Sequence, residues 1–421
     1  MLILFNGRIS TQDQALPWAQ AAAIADGRIL AVGRDSEIKA LAGPGDEVRD
    51  LGGRLVLPGM TDSHIHMASW AALRRAIPLS RAASLAQVLE LLAEEAGRVE
   101  PGQWIASSGL DETRWPEGRL PDRHDLDKAA PRHPVYFRRR DGHMAVASSL
   151  ALELAGVTSR TPDPPDGYLE REEDGRPNGR LRENAQHLVS QKVPALTVDR
   201  AVPLVDEAIG ALHELGVTAI HDVRVPLEGP VPFRTWRALE ESGRLRLRCW
   251  MCLSGEHLDQ AAALGLRTGF GGQRLKVGHL KYFMDGSMGS RTAWVMDPYP
   301  QGDCGLAVCS MEEMALALEV ADAAGLTACV HAIGDRAVKE LIDIFESLKA
   351  RGRSLDHPAP HRIEHCQMIQ PRDIQRLSRL KVTASVQPLH IPDDILVHDR
   401  YLGERAAWVY TFRSLMEAGV Q

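Results

Sequence analysis

No stretch of this 421-residue sequence approaches the ~18–20 consecutive apolar residues that a membrane-spanning helix needs. The opening Met1–Ser10 (MLILFNGRIS) has a short apolar patch, but no basic segment precedes it and no long apolar core follows. It therefore reads as a strand and not as a signal peptide. Cysteine is sparse, and six in a chain this long do not make a disulfide framework. A reducing, cytoplasmic setting is expected. A basic excess is also missing. Lys plus Arg is 49 against 56 for Asp plus Glu, a net charge of −7, which argues against a nucleic-acid binder. Phosphate-loop patterns are absent, and Gly271-Gly272 and Gly302–Gly305 read as turns. Low-complexity tracts are lacking too: 44% apolar and 25% charged residues is ordinary globular composition. The length suits one large domain plus a smaller one, or two to three ordinary domains.

What is present begins with a strand-and-turn texture over residues 1–54. Leu2-Ile3-Leu4-Phe5 meets Asn6-Gly7, and Ala21 to Ala25 meets Asp26-Gly27 before Arg28 to Gly33. Asx-Gly between apolar runs is a hairpin signal, so this part reads as a small β-module. From Leu55 onward, helical patterns of ten to fifteen residues alternate with short apolar strands, which points to a parallel α/β architecture. Residues 84–99 read as an amphipathic helix with Ser84 as N-cap, and 200–215 and 311–324 repeat the pattern. Gly216, Gly325 and Gly419 each close a helix as its C-cap, and an apolar residue follows each of them. After the first two, the strand ends on His221 or His331. After the third, the chain stops at Gln421 before a strand can form. Residues 110–180, rich in Pro, Gly, Arg and Asp, read as an insertion with a strand at Val135-Tyr136-Phe137 and a helix near 144–155. Such an excursion either covers an active site or is plain surface.

The strongest chemical signal is the apolar run from Leu55 into Asp62-Ser63-His64-Ile65-His66. On a strand, residues i and i+2 face one side ~7 Å apart, so two imidazoles can converge on one cation. His331 ends the strand Thr327 to Val330, and His365 ends the strand that starts at His361. In a barrel of alternating strands and helices, all such carboxyl ends meet at one face, where active sites lie. His331 and His365 each read alone as a satisfied core histidine, and His64 and His66 alone as two unrelated polar residues at a strand end, whereas the set reads as a centre for a divalent metal of the zinc class, one or two ions. Other polar residues have two readings each. His143, in Asp141-Gly142-His143, either contacts substrate or opens a helix; Arg291 either holds an anionic group or pairs at the surface. Asp335 either orients His331 or caps the helix after it, and Asp222 lines a pocket. Cys249 and Cys252 face opposite sides of one strand and make no joint site, and Cys366 is expected to be buried packing.

The chain resembles the amidohydrolase superfamily and, within it, the amidohydrolase-3 (YtcJ-like) family that includes N-substituted formamide deformylases. The resemblance runs through Asn6-Gly7-Arg8-Ile9, Ala25 to Gly33, Pro58-Gly59 through His66, Trp115 to Pro121, Asp141-Gly142-His143, Leu280 to Ser287 with Ser290 to Ala293, His331 to Asp335, and Arg362 to His365. It implies a metal-dependent (β/α)₈ barrel over 55–421 and an N-terminal β-sandwich module over 1–54. By the same resemblance Lys281 is the carboxylated lysine that bridges two metals, beside His64, His66, His331 and His365 as ligands. Catalytic roles fall to His331, Lys281 and His143, and substrate contacts to His143, Asp285 and Arg291. The implied activity is hydrolysis of a non-peptide C–N bond of a small molecule by metal-activated water. The alternatives are a catalytically silent regulatory or binding member and an ester or lactone hydrolase. A homo-oligomer is left open, and neither nucleic acid nor membrane is an expected partner. The last barrel strand, the sandwich return and the proton-accepting Asp of a Ser-Asp motif are not found in the sequence. Val420-Gln421 is therefore expected to sit irregularly.

Overall fold

The opening segment folds as its Asx-Gly turns require. In the computed structural model, which describes residues 1–140, 142, 144–165, 167–224, 229–300 and 302–421, the chain divides into two compact units. One is Met1–Asp62 with Leu212–Ile220; the other is Ser63–Ala211 with His221–Gln421. The first unit holds β1 (Leu2–Phe5), β2 (Arg8–Ser10), β3 (Trp18–Ala19), β4 (Ala21–Ala25), β5 (Arg28–Gly33), β6 (Glu47–Asp50) and β7 (Leu55–Val56). They form two small sheets, in the orders β5-β4-β1-β6 and β3-β2-β7. Between β4 and β5, Asp26 and Gly27 both take positive φ, 52° and 72°, as a tight hairpin turn needs. Ile3, Ala21, Ala23 and Ile38 make one buried cluster beneath them.

The sequence reads Leu55 to His66 as one strand, but the structure breaks it. Pro58 has no N–H to give a ladder. The chain leaves the small sheet after Val56 and resumes as β8 (Met60–Ile65).

The insertion is a folded sheet. β9 (Ile105–Leu110), β10 (Val135–Arg139), β11 (Met144–Ala147), β12 (Gly167–Arg171) and β13 (Pro177–Glu183) run in the order β12-β13-β11-β10-β9. Residues expected to begin a helix at 144 are instead β11, fully buried and paired on both edges with β10 and β13. Helix begins only at Ser149, where the Ser148 hydroxyl accepts the Ala151 N–H. The helix Leu85–Ala96 is capped by Ser84 as expected and buries Leu85, Val88 and Leu92 against Ile105, Leu110 and Phe137.

A seven-stranded sheet carries the remaining chemistry. Its order is β19-β18-β17-β16-β15-β14-β8, with β14 (Val217–Asp222), β15 (Arg248–Ser254), β16 (Leu275–Phe283), β17 (Ala328–Ala332), β18 (Arg362–His365) and β19 (Thr383–Ser385). From β15 to β19 each successive pair is parallel. Helices Met311–Ala323, Asp335–Ala350 and Pro371–Ser378 return the chain between strands, and the apolar face of the second packs Val338, Leu341, Ile342 and Phe345 into the core. Gly216, Gly325 and Gly419 take φ of 78°, 72° and 77°, the left-handed caps that the sequence announced. This nearly closed parallel sheet is a (β/α)₈-type barrel accompanied by a strand-rich N-terminal module.

Val420 and Gln421 are held in place, contrary to the expectation of irregularity. The Gln421 carbonyl accepts the Ala384 N–H at 2.9 Å, and the Val420 N–H donates to Leu415 at 3.0 Å. Among the described residues no helix is long and apolar enough to cross a membrane.

Candidate metal centre

Register puts the polar residues in rows. Phe283, His331, Glu364 and Ser385 lie opposite one another across β16 to β19, and Lys281, Cys329, Arg362 and Thr383 form the row two residues earlier. Alternation aims both rows at one side of the sheet. His365 follows Glu364 and would face away from that side. Positive φ at His365 (71°) and Cys366 (41°) turns the imidazole back. Left-handed backbone in a non-glycine pair costs on the order of 1–3 kcal/mol per residue and is concentrated at functional sites.

The four histidines of the proposed ligand set come together. Ring centroids are 5.4 Å apart for His64 and His66, 4.9 Å for His64 and His365, and 4.6 Å for His331 and His365. Each ring faces an acceptor with no proton to give. His64 Nδ1 donates to the Glu364 carboxylate at 2.5 Å, and His66 Nδ1 donates to the Val223 carbonyl at 2.8 Å. His331 Nε2 donates to the Gly286 carbonyl at 2.9 Å. His365 Nδ1 donates to Gln387 Oε1 at 2.7 Å, and the Gln387 amide is oriented by its own NH₂ bond to the Ser385 carbonyl. A neutral imidazole carries one proton. The lone pair is therefore on Nε2 in His64, His66 and His365, and on Nδ1 in His331.

Burial disfavours the charged form of three of these rings, His64, His331 and His365. Burial first, then the charge of Lys281, pushes His331 down to about 4. Burial and the neighbouring His331 hold His365 well below the usual range. Burial also lowers His64, against the pull of Glu364. Burial pushes the Glu364 carboxyl up, but the His64 hydrogen bond and the Arg362 charge outweigh it and hold it well below the carboxylate range. Lys281, 4% exposed with its Nζ 4.6 Å from the Phe283 ring, is lowered from the lysine range chiefly by burial. Neutral imidazoles beside a buried, deprotonation-prone amine are the donor chemistry that a zinc-class cation takes.

Asp285 is buried beside His331. Its carboxylate accepts N–H bonds from Trp294, Ile333 and Gly334 at 2.8–3.0 Å and stands 3.5 Å from His331 Nε2. Burial pushes its pKa up to about 7 against those three donors. Arg291, itself at φ 58°, lies with its guanidinium 5.9 Å from the Tyr401 ring. Asp335 neither caps its helix nor orients His331. It accepts from the Met296 N–H at 3.0 Å and from Gln370 at 2.6 Å, and Gly334 is the N-cap. Asp222 is buried, accepting the Met67 N–H at 2.9 Å and the Trp236 indole at 2.5 Å. Cys366 is buried as expected, its thiol pushed up to about 12. His143 lies outside the described residues.

Among the described residues, one triad of metal-ligating side chains, Asp322, His357 and His361, has its ligand atoms within 4.8 Å of one another. It sits at the amino ends of β17 and β18, not at the carboxyl ends that hold the histidine set. Its chemistry does not suit a cation. His361 Nδ1 accepts the Ala328 N–H at 3.1 Å, so the proton is on Nε2, facing Asp322 at 3.7 Å. With His357 bonded to Asp322 at 2.8 Å, the triad is a clasp between the helix Met311–Ala323 and the segment before β18.

Residues 47–421 match the amidohydrolase family. The chain belongs to that family. It is 33% identical to the protein LONG AFTER FAR-RED 3 of Arabidopsis thaliana, over 99% of this chain and 73% of that one. It is 26% identical to N-substituted formamide deformylase of Arthrobacter pascens, over 100% of this chain and 79% of that one. Among solved structures, a metal-dependent hydrolase of uncharacterised activity from Pyrococcus horikoshii is 30% identical with a TM-score of 0.81, covering 99% of this chain and 80% of that one. The family and the Pyrococcus neighbour support a hydrolase of the metal-dependent kind.

Glu364, Gln387 and the carbonyls of Val223 and Gly286 were not read from the sequence. Arg362-Ile363-Glu364 did carry a signal, because two opposite charges at i and i+2 on a short apolar strand must share its buried face. Backbone carbonyls leave no such trace.

Proposed function

We propose that this chain hydrolyses a non-peptide C–N bond, in an amide of a small molecule, at a divalent-cation centre held by His64, His66, Lys281, His331 and His365. The observation that carries the reading is the protonation pattern: four clustered imidazoles each spend their one proton on a fixed acceptor and keep one lone pair. When bound, a zinc-class cation supplies Lewis acidity, polarising a carbonyl and making water a stronger acid. Zinc is the metal proposed, as one or two ions, with Lys281 carboxylated to give an anionic oxygen ligand. Burial favours the neutral amine which that modification requires. The chain's own residues do the rest. Glu364, Gln387, Val223 and Gly286 hold the rings, and Asp285 ties the loop after β16 to the end of β17 so that His331 stays in register. The relative named as a formamide deformylase supports an amide over an ester.

The test is metal analysis of the purified protein, followed by a screen of formamides, N-acyl amino acids and lactones with Zn²⁺, Co²⁺ or Mn²⁺ restored after chelation. Turnover of amides that chelation abolishes and metal restores is expected. A wild-type protein that binds no divalent cation, or a His64→Ala/His331→Ala variant that binds as much as wild type, would remove the reading.

A further inference from the structure

Glu364 has no part in the ligand set, yet it is fully buried and reaches from β18 to His64 on β8. Its Oε2 lies 2.5 Å from His64 Nδ1 and its Oε1 lies 2.6 Å from Arg362 Nη2. Arg362, also buried, is anchored in turn: Nη2 donates to the Ser63 carbonyl at 2.7 Å and the Ser385 hydroxyl at 2.9 Å, and Nη1 to His221 Nδ1 at 2.8 Å. One guanidinium thus links β8, β14, β18 and β19 around the carboxylate.

We infer that Glu364 is a positioning residue that sets the tautomer of His64, with Arg362 holding the carboxylate so that it can only accept. The inference rests on the proposed metal centre. Arginine has only donors, and a carboxylate only acceptors. The carboxylate between them therefore requires His64 to carry its proton on Nδ1, and the lone pair falls on Nε2. Free imidazole has no such obligation.

Glu364→Gln is nearly isosteric and reverses the logic. Arg362 attracts the amide oxygen, so the amide NH₂ turns to His64 and needs a lone pair at Nδ1. The proton then moves to Nε2, the ligating nitrogen. Removing the guanidinium as well, in Arg362→Met/Glu364→Gln, frees the amide to turn its oxygen to His64. A merely structural role predicts the opposite order, since the double variant loses more contacts.

The experiment titrates chelator-treated protein with Co²⁺ and follows the ligand-field absorption, with thermal melting of each metal-free variant as a check on folding. Glu364→Gln should bind Co²⁺ about 10–100-fold more weakly than wild type, the usual cost of losing a partner of a ligating histidine. The double variant should recover part of that loss. Nitrogen-15 shifts of His64 in metal-free wild type give a reading that no misfolded variant can obscure: they should show Nδ1 protonated. Equal Co²⁺ affinity for Glu364→Gln and wild type, a folded double variant no tighter than the single one, or an Nε2-protonated His64 would each overturn the inference. Wild type that takes no Co²⁺ would instead overturn the metal centre itself, and the inference with it.

Discussion

His331 and His365, with ring centroids 4.6 Å apart, offer opposite nitrogens. His331 gives its Nε2 proton to the Gly286 carbonyl, and His365 gives its Nδ1 proton to Gln387. The difference follows from backbone position. His331 sits inside β17, where its far nitrogen reaches across to the loop after β16. His365 is the last residue of β18 and takes a left-handed φ there, where its near nitrogen meets Gln387, two residues after β19. Two neighbouring rings thus keep their remaining lone pairs on different nitrogens without competing for a single acceptor.

Lys281 is the first residue to test. Lys281→Ala should reduce bound metal and lower activity by more than the ~10–100-fold typical of losing an outer partner. Short carboxylic acids added to the variant should restore part of both, because they supply the missing oxygen ligand. Metal content by mass spectrometry and rate with and without acetate or propionate check this.

The metal-free protein should lose stability as pH falls below neutral. His221 and His331 are both held at about 4, by burial before any other cause, against about 6.5 in the unfolded chain. Between those values the unfolded chain takes up protons that the folded one refuses. Their contribution is complete above about pH 6.5 and declines as pH falls toward 4. At full effect it is on the order of a few kcal/mol for each ring. Asp285, pushed up to about 7, acts in the opposite sense over this range, but it is one carboxyl against two rings. A melting temperature of apoprotein that stays level from pH 7.5 to 5 would contradict this.

His357→Ala should leave bound metal unchanged while weakening the fold by about 1.5–3 kcal/mol, the worth of a hydrogen bond to a charged group. His64→Ala should do the reverse to metal content. Metal stoichiometry of the two variants side by side separates the clasp from the histidine set.

Asp285→Asn keeps the side chain's size but places an NH₂ among three backbone N–H donors. Unfolding free energy from denaturant titration should drop by about 1–3 kcal/mol, the cost of leaving a buried donor unmatched. A change within error would show that the carboxylate is not what joins the two loops.

Much was legible before the structure. Asp26-Gly27 announced its hairpin because few residue pairs tolerate two positive φ angles. Gly216, Gly325 and Gly419 marked helix ends for the same reason, and the helix-strand alternation from Leu55 announced a parallel sheet. The break at Pro58 and strand β11 were misread. The first needed a missing N–H to outweigh an apolar pattern. The second is apolar on both faces, and such a run reads alike as helix or strand until its neighbours are known.

What the sequence by itself determined is local chemistry: which residues can turn, cap, pair or ligate, and at what spacing along the chain. That was sufficient for the fold class and for proposing His64, His66, His331 and His365 as one set, whose rings the fold makes neighbours. The tertiary structure alone decided which nitrogen each ring presents, because the acceptors come from elsewhere in the chain. Glu364 lies 300 positions from His64, and Val223 lies 157 from His66. It also decided that Asp285 is a buried brace and that the triad Asp322, His357 and His361 is a clasp. A proton's place on an imidazole depends on what faces it across the sheet, and spacing along one strand carries no record of that.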